Sequence, residues 1–154
     1  MTKIIINGCN GRMGQVVANM AAADPDFTVV AGVDKFPSTI KNPFPVFKDI
    51  MECDVDADVL IDFSRPDALP GILEYAQDHN VGLVIATTGL SEDHHELLQR
   101  YVKRVPIFIS ANMSLGVNLM IDLVQKAASA LGESFDIEII EKHHNQKLDA
   151  PSGT

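Results

Sequence analysis

Lys3-Ile4-Ile5-Ile6-Asn7-Gly8-Cys9-Asn10-Gly11-Arg12-Met13-Gly14 opens the chain and decides its fold. Three successive isoleucines are β-branched and apolar, and they predict a buried strand. Glycine then recurs at positions 8, 11 and 14. Residues 12 to 23 have helical spacing, with Met13, Val16, Val17 and Met20 expected on the packing face, and Asp24-Pro25 stops the helix. Strand, glycine-rich turn and helix in direct succession suit close approach to a pyrophosphate. Glycine removes the Cβ that would stand in the way, and the helix N-terminus offers free N–H groups and the positive end of its dipole. The spacing is GxxGxxG rather than the commoner GxGxxG, and a glycine-rich turn without a ligand is the plain alternative.

Outward from this turn, Thr28 to Val33 reads as a second strand. It ends at Asp34, 20 residues after Gly14. An acidic group at that place bonds the adenosine ribose hydroxyls of a dinucleotide. Lys35 follows at once. A cation there accepts a 2′-phosphate, whereas Asp34 disfavours one, so these residues leave NAD and NADP both open. Taken alone, Asp34 is equally a solvated strand-end carboxylate. Lys35 to Phe47 contains three prolines and reads as an irregular surface loop.

Further strands are expected at Val59–Ile61, Leu83–Ala86 and Ile107–Ile109. Helices are expected at Pro66–Asn80, from Ser91 to about Arg104, and at Leu115–Leu131, where Gly132 ends the last one. This alternation predicts an α/β fold, a Rossmann-type doubly wound parallel sheet with helices on both faces. Phe135 to Ile140 alternates in polarity. It is expected to be a strand with one solvated face that opens a second sheet. The division that follows is a dinucleotide-binding domain at 1–112 and the start of an α+β substrate domain at 113–154. That second domain is expected to be truncated, because Pro151-Ser152-Gly153-Thr154 reads as a helix start with no helix behind it.

Bulk properties limit the partners. The chain has 154 residues, is 46% hydrophobic and carries a net charge of −9, so it repels phosphate backbones and nucleic acid is not an expected partner. Cys9 and Cys53 lack metal-ligand spacing, which predicts no metal site and fits small buried thiols in a reducing compartment. The N-terminus has no basic leader followed by a long apolar run, and no run reaches membrane-spanning length. A cytoplasmic protein without a membrane partner is expected.

Three later segments carry chemistry. Ala86-Thr87-Thr88-Gly89 and Ser110-Ala111-Asn112-Met113 each follow a strand, where small residues admit a ligand to the backbone and hydroxyl or amide groups orient it. Ordinary strand-to-helix turns with caps are the alternative for both. In Ser64-Arg65-Pro66, Arg65 is either close to a cofactor or solvated. Lys142 to Lys147 holds two lysines, two histidines and no acid, an anion trap in an acidic chain. Adjacent imidazoles supply a proton donor near neutral pH, and Lys147 supplies a fixed charge for a carboxylate or a developing anion. A solvated basic turn competes with this reading. A metal site fits poorly, since His143 and His144 would point oppositely in a strand. His79, His94 and His95 read as surface groups.

At these residues the chain resembles the dihydrodipicolinate reductase family, also called 4-hydroxy-tetrahydrodipicolinate reductase. The matching pieces are Gly8–Gly14, Asp62-Phe63-Ser64, Ala86-Thr87-Thr88-Gly89, Ala111-Asn112-Met113-Ser114 with Gly116-Val117-Asn118, and above all His143-His144-x-x-Lys147-x-Asp149-Ala-Pro-Ser-Gly-Thr. The resemblance implies reduction of a cyclic unsaturated dicarboxylate by NADH or NADPH in the diaminopimelate and lysine pathway. It implies His143 as the catalytic acid and Lys147 as its partner, with His144, Gly153 and Thr154 binding substrate. It implies cofactor contacts at Gly8, Cys9, Asn10, Gly11, Arg12, Met13, Asp34, Lys35, Ala86, Thr87, Thr88, Ser110, Ala111, Asn112 and Met113. It also implies a homo-oligomer, commonly a tetramer. Ala86 stands where the family commonly has Gly, and a family chain continues for roughly another hundred residues. A second reading treats this chain as a nucleotide-binding module without turnover. A third is a different NAD-dependent reductase, against which the Lys142–Thr154 segment argues.

Overall fold

Ile4, Ile5 and Ile6 lie in strand β1 (Thr2–Asn7), which pairs in parallel on both sides. The computed structural model describes residues 1–143 and 145. After β1 come helix α1 (Arg12–Ala23), β2 (Phe27–Val33), β3 (Val46–Phe47), β4 (Val59–Asp62), α2 (Leu69–His79), β5 (Gly82–Ile85), α3 (Glu92–Tyr101), β6 (Ile107–Ile109) and α4 (Leu115–Leu131). The sheet order is β3-β2-β1-β4-β5-β6, and every pair is parallel. This is the doubly wound order, with the direction of winding reversing between β1 and β4.

Strand alternation divides the core in two. Ile5, Ala31, Val33, Leu60, Leu83 and Ile85 face α2 and α3 in the larger cluster. Ile4 and Ile6 face the other way, with Cys9 and Ala21, against Val17 and Ala18 of α1. Helix α1 has its expected bounds, but of the four residues expected on its packing face only Val17 packs against the core. Gly14 and Ala21 are buried, while Met13, Val16 and Met20 are exposed, Met20 by 67%. At Gly14 the helix passes so close to the glycine turn that no side chain fits there, and Met13, Val16 and Met20 are turned outward.

Two other expectations are corrected. The proline-rich loop contains β3, whose Val46 and Phe47 pair with Gly32 and Val33. The Gly32 and Asp34 N–H groups donate to the Pro45 and Phe47 carbonyls at 2.9 Å each. An edge strand of two residues is too short to show a period, and Pro45 contributes only its carbonyl. Phe135–Ile140 is not a strand. Phe135 has extended backbone (φ −127°, ψ 134°), yet no strand pairs with this segment among the described residues, and Phe135, Ile137, Ile139 and Ile140 are exposed. Alternation describes how side chains would face; a sheet also needs a partner for the backbone.

Packing divides the chain into two compact units, Met1–Ser110 and Ala111–Thr154. In the second, the Ser114 hydroxyl caps α4 by accepting from the Val117 N–H, and Gly132 ends it at φ +66°. In the first, α3 begins with a capping box: Ser91 Oγ accepts from the His94 N–H, and His94 Nδ1 accepts from the Ser91 N–H. His94 is therefore half-buried and structural rather than a plain surface group. Among the described residues no helix is long and apolar enough to cross a membrane.

Two helical glycines should respond oppositely to alanine. At Gly14 a Cβ would run into the Gly8 carbonyl oxygen and come within 2.7 Å of the Cys9 Cα, both backbone atoms that cannot rotate away. At Gly71 in α2 its nearest neighbour is Ile50 Cγ2 at 3.8 Å, an ordinary contact. Urea unfolding should show Gly14→Ala destabilised by about 1–3 kcal/mol. Gly71→Ala should be stabilised by about 0.5–1 kcal/mol.

Candidate functional site

The glycine turn sits at the carboxyl edge of the sheet, where the winding reverses. Gly8 adopts φ +77°, a conformation that favours glycine. Its N–H and that of Cys9 donate to the Val33 carbonyl at 2.8 and 3.2 Å, and the Gly11 N–H donates to the Gly8 carbonyl at 3.0 Å. A Cβ on Gly8 would lie 2.7 Å from the Phe63 carbonyl oxygen, so the turn is pressed against the end of β4. Helix α1 then starts at Gly11 with no side-chain cap, and its first N–H groups have no acceptor within the helix. Arg12 and Met13 are exposed at this end.

Asp34 lies beside the turn. Its Oδ2 accepts from the Asn10 N–H at 3.1 Å and its Oδ1 from the Phe36 N–H at 2.9 Å. A carboxylate oxygen has two acceptor sites, so each keeps one for a ribose hydroxyl. The Asn10 side chain is committed elsewhere. Its Nδ2 donates to the Phe36 carbonyl, and its Oδ1 accepts from Asn42 Nδ2. Asn42 Oδ1 accepts in turn from Gln15 Nε2, which also donates to the Cys9 carbonyl; all four bonds are 2.8 Å long. The Asn10 side chain is thereby fixed in place beside the turn. The Cys9 side chain is buried beneath the turn beside Gly32 and is not presented to a ligand.

Asn7, Gly8, Gly11, Asp34, Phe63 and Arg65 are among the residues lining a cleft of about 480 Å³. Lys35, Lys48 and Asp67 stand at its rim, and Lys35 Nζ lies 2.7 Å from Asp67 Oδ2.

Sequence reasoning missed the group that joins the strand ends. Asp62 closes β4, is 1% exposed and lies beside Asn7 of β1 and Ile85 of β5. Its Oδ1 accepts from Asn7 Nδ2 at 2.8 Å, from the Ser64 N–H at 3.1 Å and from Ser64 Oγ at 2.6 Å. Its Oδ2 accepts from Thr87 Oγ1 at 2.7 Å. The available signal was a carboxylate directly after Val-Leu-Ile, at a depth where only a satisfied charge is tolerated. This network connects the glycine turn to the Ala86–Thr88 loop. The Thr87 hydroxyl is spent on Asp62, the Ala86 N–H donates to the Asp62 carbonyl, and Thr88 is exposed. The Ser110 N–H donates to the Ile85 carbonyl at 3.0 Å.

The other expected residues belong to the second unit. Asn112 Oδ1 accepts from the Ser114 N–H at 2.8 Å, and Asn118 Nδ2 donates to the Asn112 and Ser114 carbonyls at 2.9 Å each. Two of the sequence pieces thus form a latch at the start of α4, with Ala111 and Met113 exposed beside it. His143 Nδ1 lies 3.2 Å from Glu141 Oε2. The carboxylate thus sits within reach of the imidazole and can orient its ring. His144, Lys147, Gly153 and Thr154 lie outside the described residues.

Comparison with known proteins fits this geometry. The family pattern described as “Dihydrodipicolinate reductase, N-terminus” matches residues 2–113, and the one described as “Dihydrodipicolinate reductase, C-terminus” matches residues 116–154. The chain belongs to the dihydrodipicolinate reductase family. It is 54% identical over 154 residues to the 4-hydroxy-tetrahydrodipicolinate reductase of Caldanaerobacter subterraneus and 49% identical to that of Clostridium novyi. All of the chain is covered in both, but only 60% and 61% of those relatives, so it spans about three fifths of their length. A solved dipicolinate-bound dihydrodipicolinate reductase from Paenisporosarcina sp. TG-14 superposes with a TM-score of 0.78 at 28% identity, over 99% of this chain and 62% of that one. A scyllo-inositol dehydrogenase from Lactobacillus casei, solved with NAD(H) and scyllo-inositol, shares the fold at a TM-score of 0.62 and 17% identity, over 82% of this chain and 42% of that one. Reductase family and Rossmann-type sheet together imply a nicotinamide cofactor. The residues present fit one: the cradle at Gly8 and Gly14 has no room for a side chain, and the α1 N-terminus above it is uncapped.

Thr87→Val removes the only donor to Asp62 Oδ2 among the described residues. Chemical denaturation should register a loss of about 1.5–3 kcal/mol, the range for a hydrogen bond to a charged group. Thr88→Val, at an exposed position, should change stability by less than about 0.5 kcal/mol.

Cys9 generates a pH dependence. Burial, with a smaller contribution from the Asp34 charge, pushes its thiol from an ordinary 9.0 up to about 11. The unfolded chain therefore ionises first. The thiol's contribution is complete below pH 9.0 and is lost as pH rises toward about 11. The Tm of the wild type should fall more steeply over that window than that of Cys9→Ala, and parallel curves would refute the assignment.

Proposed function

We propose that the intact protein reduces 4-hydroxy-tetrahydrodipicolinate to tetrahydrodipicolinate with NADH or NADPH, a step of diaminopimelate and lysine biosynthesis in the cytoplasm. The observation that carries this reading is the glycine turn folded against β4 beside Asp34, in a chain of the dihydrodipicolinate reductase family. Residues 1–112 serve as the dinucleotide-binding domain. Residues 113–154 begin the domain that holds substrate and joins subunits, and the working form is a homo-oligomer, by family resemblance a tetramer.

The reduced nicotinamide supplies a hydride when bound. The Gly8–Gly11 turn, whose own N–H groups are bonded within the protein, lets the pyrophosphate approach closely, the N–H groups of Arg12 and Met13 at the uncapped start of α1 hold it, and Asp34 and Lys35 hold the adenosine ribose. By family resemblance Ala86, Thr87, Thr88 and Ser110 are cofactor contacts, and so are Ala111, Asn112 and Met113. The Thr87 hydroxyl proton is already given to Asp62, so that side chain has no donor left for the cofactor. His143 delivers a proton to the substrate carbon, with Glu141 beside it to orient the imidazole ring. Lys147 partners His143, and His144, Gly153 and Thr154 hold the substrate carboxylates. The dipicolinate bound to the Paenisporosarcina reductase supports a small dicarboxylate as ligand.

The test is NADH and NADPH oxidation by the full chain with this substrate, together with calorimetric titration of each cofactor. His143→Ala should lower kcat by about 10²–10⁴-fold. The same variant should bind NADH as the wild type does. A kcat near that of the wild type would remove His143 from the proton-donor role, and absence of cofactor binding would remove the reading altogether.

A further inference from the structure

Lys35 directly follows Asp34, at the place where a dinucleotide with a 2′-phosphate would add its charge. A lysine there favours NADPH only if its charge is available. In this structure it is already engaged. Lys35 Nζ sits 2.7 Å from Oδ2 of Asp67, which belongs to the short 3-10 turn Pro66–Ala68 after β4. The second oxygen of the same carboxylate, Oδ1, lies 3.5 Å from Arg65 Nε. Lys35, Arg65 and Asp67 all line the cleft that also contains Asp34. One acid therefore faces two of the cations that a 2′-phosphate would use. The hydrogen bond from Lys35, with the Lys35 and Arg65 charges, holds the Asp67 carboxyl below its ordinary range, so it is ionised at neutral pH.

The pair is partly solvated, with side chains 63% and 56% exposed, and contributes little to stability. Its consequence lies in the local potential. A phosphate monoester carries between one and two negative charges, whereas the ribose hydroxyl it replaces carries none. An extra carboxylate within a few ångströms acts against the first ligand and hardly affects the second. Lys48, on the same rim, has no acid partner among the described residues and offers some charge to either cofactor.

We infer that Asp67 is a specificity-determining residue: by occupying Lys35 it lowers preference for NADPH relative to NADH. The inference rests on the proposed dinucleotide site and deepens it. It predicts a change in the ratio of two affinities, which a purely structural role for Asp67 would not produce.

The experiment is calorimetric titration of the full chain with NADH and with NADPH, for the wild type, Asp67→Asn, Asp67→Ser, Lys35→Gln and the Lys35→Gln/Asp67→Asn pair. Asp67→Asn should tighten NADPH about tenfold and leave NADH within about twofold. Asp67→Ser should do the same, which separates loss of charge from any effect of the amide. With Lys35 replaced, the gain from Asp67→Asn should shrink to the part that comes from direct repulsion and from Arg65. An NADPH to NADH ratio unmoved by either Asp67 variant, while both cofactors still bind, would overturn the inference and leave the dinucleotide reading intact. A gain that persists undiminished in the Lys35→Gln background would overturn the route through Lys35. If the wild type binds neither cofactor, the dinucleotide reading and this inference fall together.

Discussion

The buried carboxylate of Asp62 is the constraint on which the site depends. Four donors converge on it, from Asn7, from the backbone and hydroxyl of Ser64, and from Thr87. They come from the ends of three adjacent strands and the loops that leave them. A charge at this depth persists only when fully compensated, and compensation requires all three strands to end in register. The carboxyl edge is therefore built as one object. The glycine turn after β1, the Phe63 carbonyl after β4 and the threonine loop after β5 are held at fixed separations before any ligand arrives. Preorganisation of this kind lowers what a ligand must expend in ordering the protein.

The glycine turn uses that fixed edge. Gly8 can approach Phe63 only without a side chain, and Gly14 can pass over the Gly8 carbonyl only on the same terms. Small residues beneath α1 continue the pattern, down to Ala21. The closeness that makes room for a pyrophosphate above the turn is thus the same closeness that turns Met13, Val16 and Met20 outward. Site and packing are two results of one geometric choice, and family membership supplies the chemistry that such a site serves.

Much of this was legible locally. Three isoleucines, glycines three apart and an acid after the second strand are short-range signals, and β1, α1, the turn and Asp34 all follow from them. What escaped was set by distant partners. β3 exists because Val46 and Phe47 meet Gly32 and Val33, not because of its own period. Of the residues expected on the packing face of α1 only Val17 packs inward, because apolarity alone does not reveal how closely the glycine turn approaches the helix. The alternation in Phe135–Ile140 was real, but no pairing strand appears among the described residues. Asp62 and Thr87 are 25 residues apart and Lys35 and Asp67 are 32 apart, and nothing near either residue in sequence announces the other.

The amides of Asn10, Asn42 and Gln15 form a chain in which each side chain completes the next. Such a chain links the inheritance of its members. A change at one position strands a donor or acceptor on its neighbour, so substitutions there are epistatic and pass most easily in concert. Between Phe36 and Lys41 no comparable chain of side-chain hydrogen bonds imposes that coupling. The loop can thus diversify in its middle while its two ends stay fastened to the glycine turn, giving one nucleotide edge many different rims.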